Sequence, residues 1–351
     1  MNQIRMGVIG AGGIGVGSHM AGINRSPDLL LTAICDIVPE KMIAPAKKYD
    51  IDKDHLFTDY RDLIACGDVD AVCVCTPNDC HFKITREAIK AGKPYVLEKP
   101  VTMTAREAEI LAFETGSLKN MVCFSYRFVT AARYARHLVR SGALGKIYHV
   151  NMEYSQAWDS GSPLVWRFIK SIAGSGALGD LGSHAIDLVR FLTGKEYTRV
   201  AGDADTYVKE RRLPEGGGTG FTDVDDYCNF LARMDGGISA SFHITRCAFG
   251  RANYQRMVVY GDQGALVYKL NESPGRDELE LCIGQPMGRL HTFTAVPVPN
   301  EYAADQLQSF ADIMNGRADG LSADISDGFA NQKMLGAVIE SFESGRWINL
   351  T

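Results

Sequence analysis

The stretch Ile4-Arg5-Met6-Gly7-Val8-Ile9-Gly10-Ala11-Gly12-Gly13-Ile14-Gly15 decides the fold. Its first six residues read as a buried strand. Gly10, Gly12 and Gly15 then follow in the spacing GxGxxG, directly after that strand and at the start of a helix. Such a turn needs each glycine for a separate reason. The first permits the tight bend, the second lets the backbone approach a pyrophosphate, and the third lets helix pack closely on strand. The helix N-terminus supplies N–H donors to the phosphates. Asp36 closes the next apolar run, Leu29 to Cys35, where a carboxylate can accept from both ribose hydroxyls. After it come Ile37, Val38, Pro39 and Glu40, with no cation before Lys41. A 2′-phosphate would meet a carboxylate there, so NAD is the expected cofactor rather than NADP. Gly13, Ile14 and Ile37 belong to the same expected contact set.

Working outward, strand-like and helix-like segments alternate through Ser125. The strands IRMGVI, LLLTAIC, HLF, AVCVC, PYVLE and MVCFS are continuous apolar runs, the mark of parallel strands covered on both faces. Helical spacing lies between them, the first helix running from Gly13 to Arg25. The expected fold is an α/β Rossmann domain with a doubly wound parallel sheet over residues 1–123. Residues 124–351 read differently. A helix near Ala131 to Arg140 leads into KIYHVNMEY, and long runs such as DDYCNFLARM, GGISASFHITR, YQRMVVYG and ALVYKL follow, separated by turn residues. This predicts an α+β domain with a large open, mainly antiparallel sheet. Helices are expected over EYAADQLQSFADIMNG and between Ile325 and Ser344, and a flexible loop at LPEGGGTG.

Composition sets the outer limits. The 351 residues are 46% hydrophobic and 23% charged, enough for two domains with real cores. The net charge of −5 argues against a nucleic-acid partner, which calls for a basic face. No apolar run is long enough to span a membrane. The chain enters its first strand at once, without a signal-peptide pattern, so a cytoplasmic protein is expected. Nine cysteines are an odd number and contain no CxxC pair. Cys73 and Cys75 alternate within AVCVC, where cysteine acts as a small hydrophobe. Reduced core thiols are expected, and no metal site.

Two later loops fall at the carboxyl ends of the fourth and fifth strands, where open α/β sheets bind ligands. They carry Thr76-Pro77-Asn78 with His81, and Glu98-Lys99-Pro100. A further cluster lies in GSGALGDLGSHAIDLVRFLTG. With a helix starting near Leu181, Asp180 would be its N-cap, and Asp180, His184 and Asp187 could share one face. A zinc site would want another ligand, and a capping Asp beside a packed His fits the spacing equally well.

These motifs, in this order, resemble the glucose–fructose oxidoreductase, inositol dehydrogenase and rhizopine catabolism (Gfo/Idh/MocA) family. The resemblance spans GxGxxG, TPN-x-x-H at Thr76 to His81, EKP at Glu98 to Pro100, YRF at Tyr126 to Phe128 and SGALGKI at Ser141 to Ile147. It continues through Trp166-Arg167, D-x-G-x-H-x-x-D at Asp180 to Asp187, and the closing ESFESGRWINL. One departure is visible. His19 follows Gly15 by four residues where the family commonly has three, which implies a one-residue insertion in the first helical turn. The resemblance implies that Lys99, Asp180 and His184 are catalytic, with His184 a natural general base and Lys99 a stabiliser of negative charge on oxygen, and the sequence leaves open which of the two takes the proton. It places Arg127 with the cofactor and Tyr126, Trp166 and Arg167 with the substrate. It implies an NAD-dependent enzyme acting on a secondary hydroxyl of a sugar, cyclitol or glycoside. The alternatives are redox-neutral glycoside cleavage through a transient keto-sugar and a non-enzymatic dinucleotide sensor. The open sheet predicts a homo-oligomer, dimer or tetramer.

Overall fold

A computed structural model describes residues 3–158, 161–272, 276–284 and 292–350. The chain forms two compact units, Met1–Phe124 with Ala304–Gln332 and Ser125–Ala303 with Lys333–Thr351.

The first unit is built on six strands: β1 (Ile4–Ile9), β2 (Leu29–Cys35), β3 (Leu56–Phe57), β4 (Ala71–Val74), β5 (Tyr95–Leu97) and β6 (Asn120–Val122). Their order is β3-β2-β1-β4-β5-β6, and every pairing is parallel. This is the doubly wound arrangement, with its topological switch between β1 and β4. The unbroken apolar runs have their expected cause: every residue of β4 and β5 is buried. Against one face the helices Asn78–Lys90 and Ala105–Thr115 place Ile84, Ala88, Ala108 and Leu111 on Val72, Val74, Tyr95 and Leu97. Ile84 and Leu111 each contribute roughly 1.5–3 kcal/mol by leaving water. The second of these helices starts on a reciprocal cap, Thr104 accepting from the Glu107 N–H and Glu107 accepting from that of Thr104.

The first helix differs from its expected form. Gly15–Met20 winds as a π-helix and only Ala21–Arg25 is α-helical. A π turn holds one residue more than an α turn, so the extra residue implied before His19 is absorbed locally and His19 is buried.

The sequence pattern gave no sign that residues 304–332 return to the first unit. They do so through specific bonds. Asp305 caps the helix Gln306–Met314, and Leu307 on that helix packs over Gly22. Ala323 bridges to Val122 at the β6 edge, and Asn120 Oδ1 accepts from the Ile325 N–H at 2.7 Å. The expected continuous helix from Glu301 is interrupted for the same reason. Asp305 takes the Leu307 and Gln308 N–H groups, so Asn300–Tyr302 remains a separate 3₁₀ turn.

The second unit holds β7 (Ile147–Ser155), β8 (Tyr197–Asp205), β9 (Glu210–Arg212), β10 (Thr219–Phe221), β11 (Tyr227–Met234), β12 (Ile238–Thr245), β13 (Tyr254–Gly261), β14 (Gly264–Asn271), β15 (Asp277–Ile283), β16 (Thr294–Ala295) and β17 (Ile348–Asn349). Nine of them form one sheet, β16-β15-β14-β13-β7-β12-β11-β8-β17. It is antiparallel except where β7 pairs with β12. The end of LPEGGGTG is not loop: Thr219 and Gly220 open β10, which pairs with β9 as a short ribbon. Burial alternates along β11 and β12. Phe230 and Phe242 stack at 4.2 Å on the inner face, while Leu231, Arg233 and His243 lie exposed on the other.

The β1 turn depends on the absence of two side chains. Gly10 has φ +105°, and a Cβ there would sit 2.6 Å from the Cys75 carbonyl oxygen. A Cβ on Gly15 would sit 1.9 Å from the Gly10 carbonyl oxygen. Gly15→Ala is therefore expected to lower stability by about 1–3 kcal/mol through overpacking, read as a shift in the chemical denaturation midpoint.

Candidate functional site

Gly12 contrasts with its neighbours. A Cβ built there meets nothing within 4 Å, so packing does not require glycine at this position. The open space suits close approach of a phosphate to the backbone. Beside it, Asp36 Oδ2 accepts from the Ala11 N–H at 2.8 Å and Oδ1 from the Val38 N–H at 2.9 Å. Each oxygen keeps a lone pair for a ribose hydroxyl, and the two bonds hold the carboxylate against the glycine turn. Ile37 is 85% exposed next to it, an apolar surface suited to an adenine. Gly13 and Ile14 are exposed on the same turn. The residues present thus fit a dinucleotide.

Thr76, Pro77 and Asn78 lead from β4 into the helix Asn78–Lys90, and Asn78 is buried in its first turn. Glu98, Lys99 and Pro100 follow β5, with Glu98 and Lys99 half-buried. Two buried histidines engage these loops. His81 Nδ1 lies 2.8 Å from the Pro100 carbonyl oxygen and Nε2 2.9 Å from that of Thr76. His19 Nε2 lies 2.8 Å from Glu98 Oε1 and 3.9 Å from Cys123 Sγ. The donor atoms of His19, Glu98 and Cys123 lie within 4.8 Å of one another. Burial pushes the Cys75 thiol up to about 11 and the Cys123 thiol higher still, so both are neutral thiols near neutral pH.

In the second unit Asp180 is not the N-cap expected of it. Leu178–Gly182 winds as a π-helix and continues as the α-helix Ser183–Thr193, which puts Asp180 inside the first turn. The capping role falls to Asp225, whose carboxylate accepts from the Gly176 N–H at 2.6 Å and the Leu178 N–H at 2.7 Å. Asp180 instead pairs with Arg246. Its Oδ2 accepts from Arg246 Nη2 at 3.4 Å, with its side chain 24% exposed.

His184 is buried with its ring 4.7 Å from that of Tyr126 and 6.4 Å from that of Tyr154. Tyr126 Oη and Tyr154 Oη lie 2.5 Å apart and 3.0 and 2.7 Å from Asn253 Oδ1, so that one hydroxyl donates to the other and the second to the amide oxygen. Gln156 Nε2 donates to the same oxygen at 3.0 Å, and Gln156 Oε1 accepts from Trp158 Nε1 at 2.6 Å. Tyr154, Gln156, Trp158, Asn253 and Arg246 escaped sequence reasoning. The signal for three of them was present: positions 154, 156 and 158 alternate along the end of β7 and its continuation. Arg246 directly follows β12 and Asn253 directly precedes β13, and they join the group only through the sheet.

The other expected site residues are placed as follows. Arg127 is buried and forked onto Asp187, Nε to Oδ2 at 2.8 Å and Nη2 to Oδ1 at 2.6 Å. Its guanidinium also lies 5.0 Å from the Phe191 ring. This bridge ties the turn Ser125–Phe128 to the His184 helix. Trp166 and Arg167 are half-buried in one 3₁₀ turn, the guanidinium 4.3 Å from the indole. The buried aromatic of that turn is Phe168, with Arg211 3.7 Å above its ring.

The glycine turn, Asp36 and the β4–β5 loops define the class, a Rossmann oxidoreductase that binds NAD. The model of the oxidoreductase family with an NAD-binding Rossmann fold matches residues 4–126, and the GFO/IDH/MocA C-terminal domain matches residues 132–267. The chain belongs to the Gfo/Idh/MocA oxidoreductase family. It is 30% identical to a levoglucosan dehydrogenase of Pseudarthrobacter phenanthrenivorans, over 100% of this chain and 99% of that protein. It is 27% identical to an inositol 2-dehydrogenase of Rhizobium meliloti, over 99% of each. A solved structure of levoglucosan dehydrogenase in complex with NADH and L-sorbose superposes with a TM-score of 0.89 at 29% identity, covering 100% of both chains.

Removing one partner of the Arg127–Asp187 bridge leaves a buried charge uncompensated. Asp187→Ala is expected to cost about 3–5 kcal/mol of stability, and Arg127→Met with Asp187→Leu to recover part of it, both read by denaturant unfolding.

Proposed function

We propose that the protein oxidises a secondary ring hydroxyl of a sugar, cyclitol or glycoside. The observation that carries this reading is the group around His184. Tyr126, Tyr154, Gln156 and Asn253 offer neutral donors and acceptors suited to hydroxyls, and aromatic faces suited to the C–H side of a sugar ring. A phosphate or carboxylate substrate would call for exposed cations instead. The named relatives act on substrates of this chemical kind.

Bound NAD would supply the hydride acceptor. Gly10, Gly12 and Gly15 with Asp36 would hold the dinucleotide, together with Thr76, Pro77, Asn78 and Glu98. His184 takes the hydroxyl proton as general base. Lys99 stabilises the charge that develops on the oxygen. Asp180, 3.4 Å from Arg246 Nη2, accepts a hydrogen bond from a neighbouring substrate hydroxyl. Tyr126 orients His184 edge-on.

The test is a panel of cyclitols, hexoses and glycosides with NAD, following absorbance of the reduced cofactor. On the best substrate, Lys99→Ala and His184→Ala should each lower kcat at least about a hundredfold. NAD affinity should change much less in His184→Ala. Near-normal turnover in a folded His184→Ala protein would leave His184 a packing residue.

We also propose that the exposed face of the nine-stranded sheet pairs with another copy, because one face of β7, β11 and β12 presents the exposed side chains His149, Asn151, Leu231, Arg233 and His243. Light scattering should give a dimer or tetramer of the 38.4 kDa chain. A monomer at micromolar concentration refutes this.

A further inference from the structure

His81 is wholly buried, yet it is polar at both ends of its ring. Both ring nitrogens face backbone carbonyl oxygens, Nδ1 that of Pro100 at 2.8 Å and Nε2 that of Thr76 at 2.9 Å. A carbonyl oxygen only accepts, so each nitrogen must donate. A neutral imidazole has one N–H. Its other nitrogen would turn a lone pair toward a carbonyl lone pair at hydrogen-bonding distance, away from bulk solvent. Burial is the largest influence on this ring and pulls its pKa down. The Pro100 and Thr76 carbonyls and the Glu98 and Asp79 carboxylates favour the charged ring. Two short contacts to acceptors decide between these influences, since only the imidazolium satisfies both.

The two carbonyls belong to different loops. Thr76 lies two residues past the end of β4, and Pro100 directly follows Lys99 after β5. One ring therefore spans the two strand ends at which this sheet binds ligands. We propose that His81 is a buried imidazolium that clamps the Thr76 loop to the Glu98–Pro100 loop and so sets the position of Lys99. His81 is a positioning residue, because both of its nitrogens are taken by backbone. A loop held in place before binding loses less freedom when the ligand arrives. The inference rests on the reading of these loops as walls of the NAD site.

The test has two arms. In the first, protein labelled with ¹⁵N in its eight histidine rings is studied by NMR at neutral pH. The expected result is one ring with two slowly exchanging N–H groups, absent from His81→Gln. If that variant does not fold, the ring is assigned in the unsubstituted protein through its carbon correlations. An unprotonated nitrogen in the His81 ring overturns the imidazolium.

The second arm measures NAD affinity and kcat in His81→Gln, Lys99→Ala, their combination and Asp36→Ala. His81→Gln should weaken NAD binding and lower kcat, each roughly tenfold or more, as expected when a reacting group is misplaced. In the Lys99→Ala background it should lower kcat little further, because the group it positions is gone. Additive losses in kcat, or no loss, overturn the clamp. Weakened NAD binding in Asp36→Ala alone would leave the cofactor site standing while the clamp fails. Unchanged binding in both Asp36→Ala and His81→Gln would remove the reading on which the clamp depends.

Discussion

The first unit turns on a backbone contact that no side chain can share. The chain leaves β1, bends at Gly10 and brings Gly15 so close to the Gly10 carbonyl that a Cβ would overlap it. That contact fixes where the first helix starts relative to β1. It also fixes which backbone groups lie beside Gly12, where space remains for a phosphate. Asp36 depends on it as well, because its carboxylate is oriented by the Ala11 N–H of the same turn. The parallel order β2-β1-β4 then brings the Thr76 loop next to Gly10, with the Cys75 carbonyl forming the wall that excludes a side chain.

Both units use the same local device. A π turn opens the first helix at Gly15–Met20, and another opens the His184 helix at Leu178–Gly182. In each case the wide turn changes which residues face inward. The first buries His19 against Glu98, and the second moves Asp180 off the cap. Bulges of this kind recur at functional sites because they re-aim side chains without breaking the helix. The second also requires a substitute cap. Asp225 provides it from just before β11, so the sheet, rather than the helix's own sequence, satisfies the helix end.

A large share of the architecture was legible in one dimension. Continuous apolar runs implied buried parallel strands, and β4 and β5 are buried at every residue. Turn residues at Asp235 to Gly237 and at Gly261-Asp262 marked two hairpins that do form. The offset of His19 by one residue was visible as an insertion, although not as a π turn. Asn253 could not be recognised, since it is an ordinary loop asparagine until β13 and β7 pair and bring it to Tyr154.

The sequence by itself determined the GxGxxG turn, the acidic end of β2 and the motifs that identify the family. These follow from local requirements: a glycine where no Cβ fits, a carboxylate at a strand end, a helix begun after a strand. Tertiary structure alone decided how the charged and polar groups are spent. Arg127 is drawn inward onto Asp187, Asp225 caps a helix forty-odd residues before it, and His81 joins two loops through carbonyls that any residues at those positions would carry. Backbone acceptors have no signature in the sequence, and a buried polar side chain takes whichever partner the fold brings within reach.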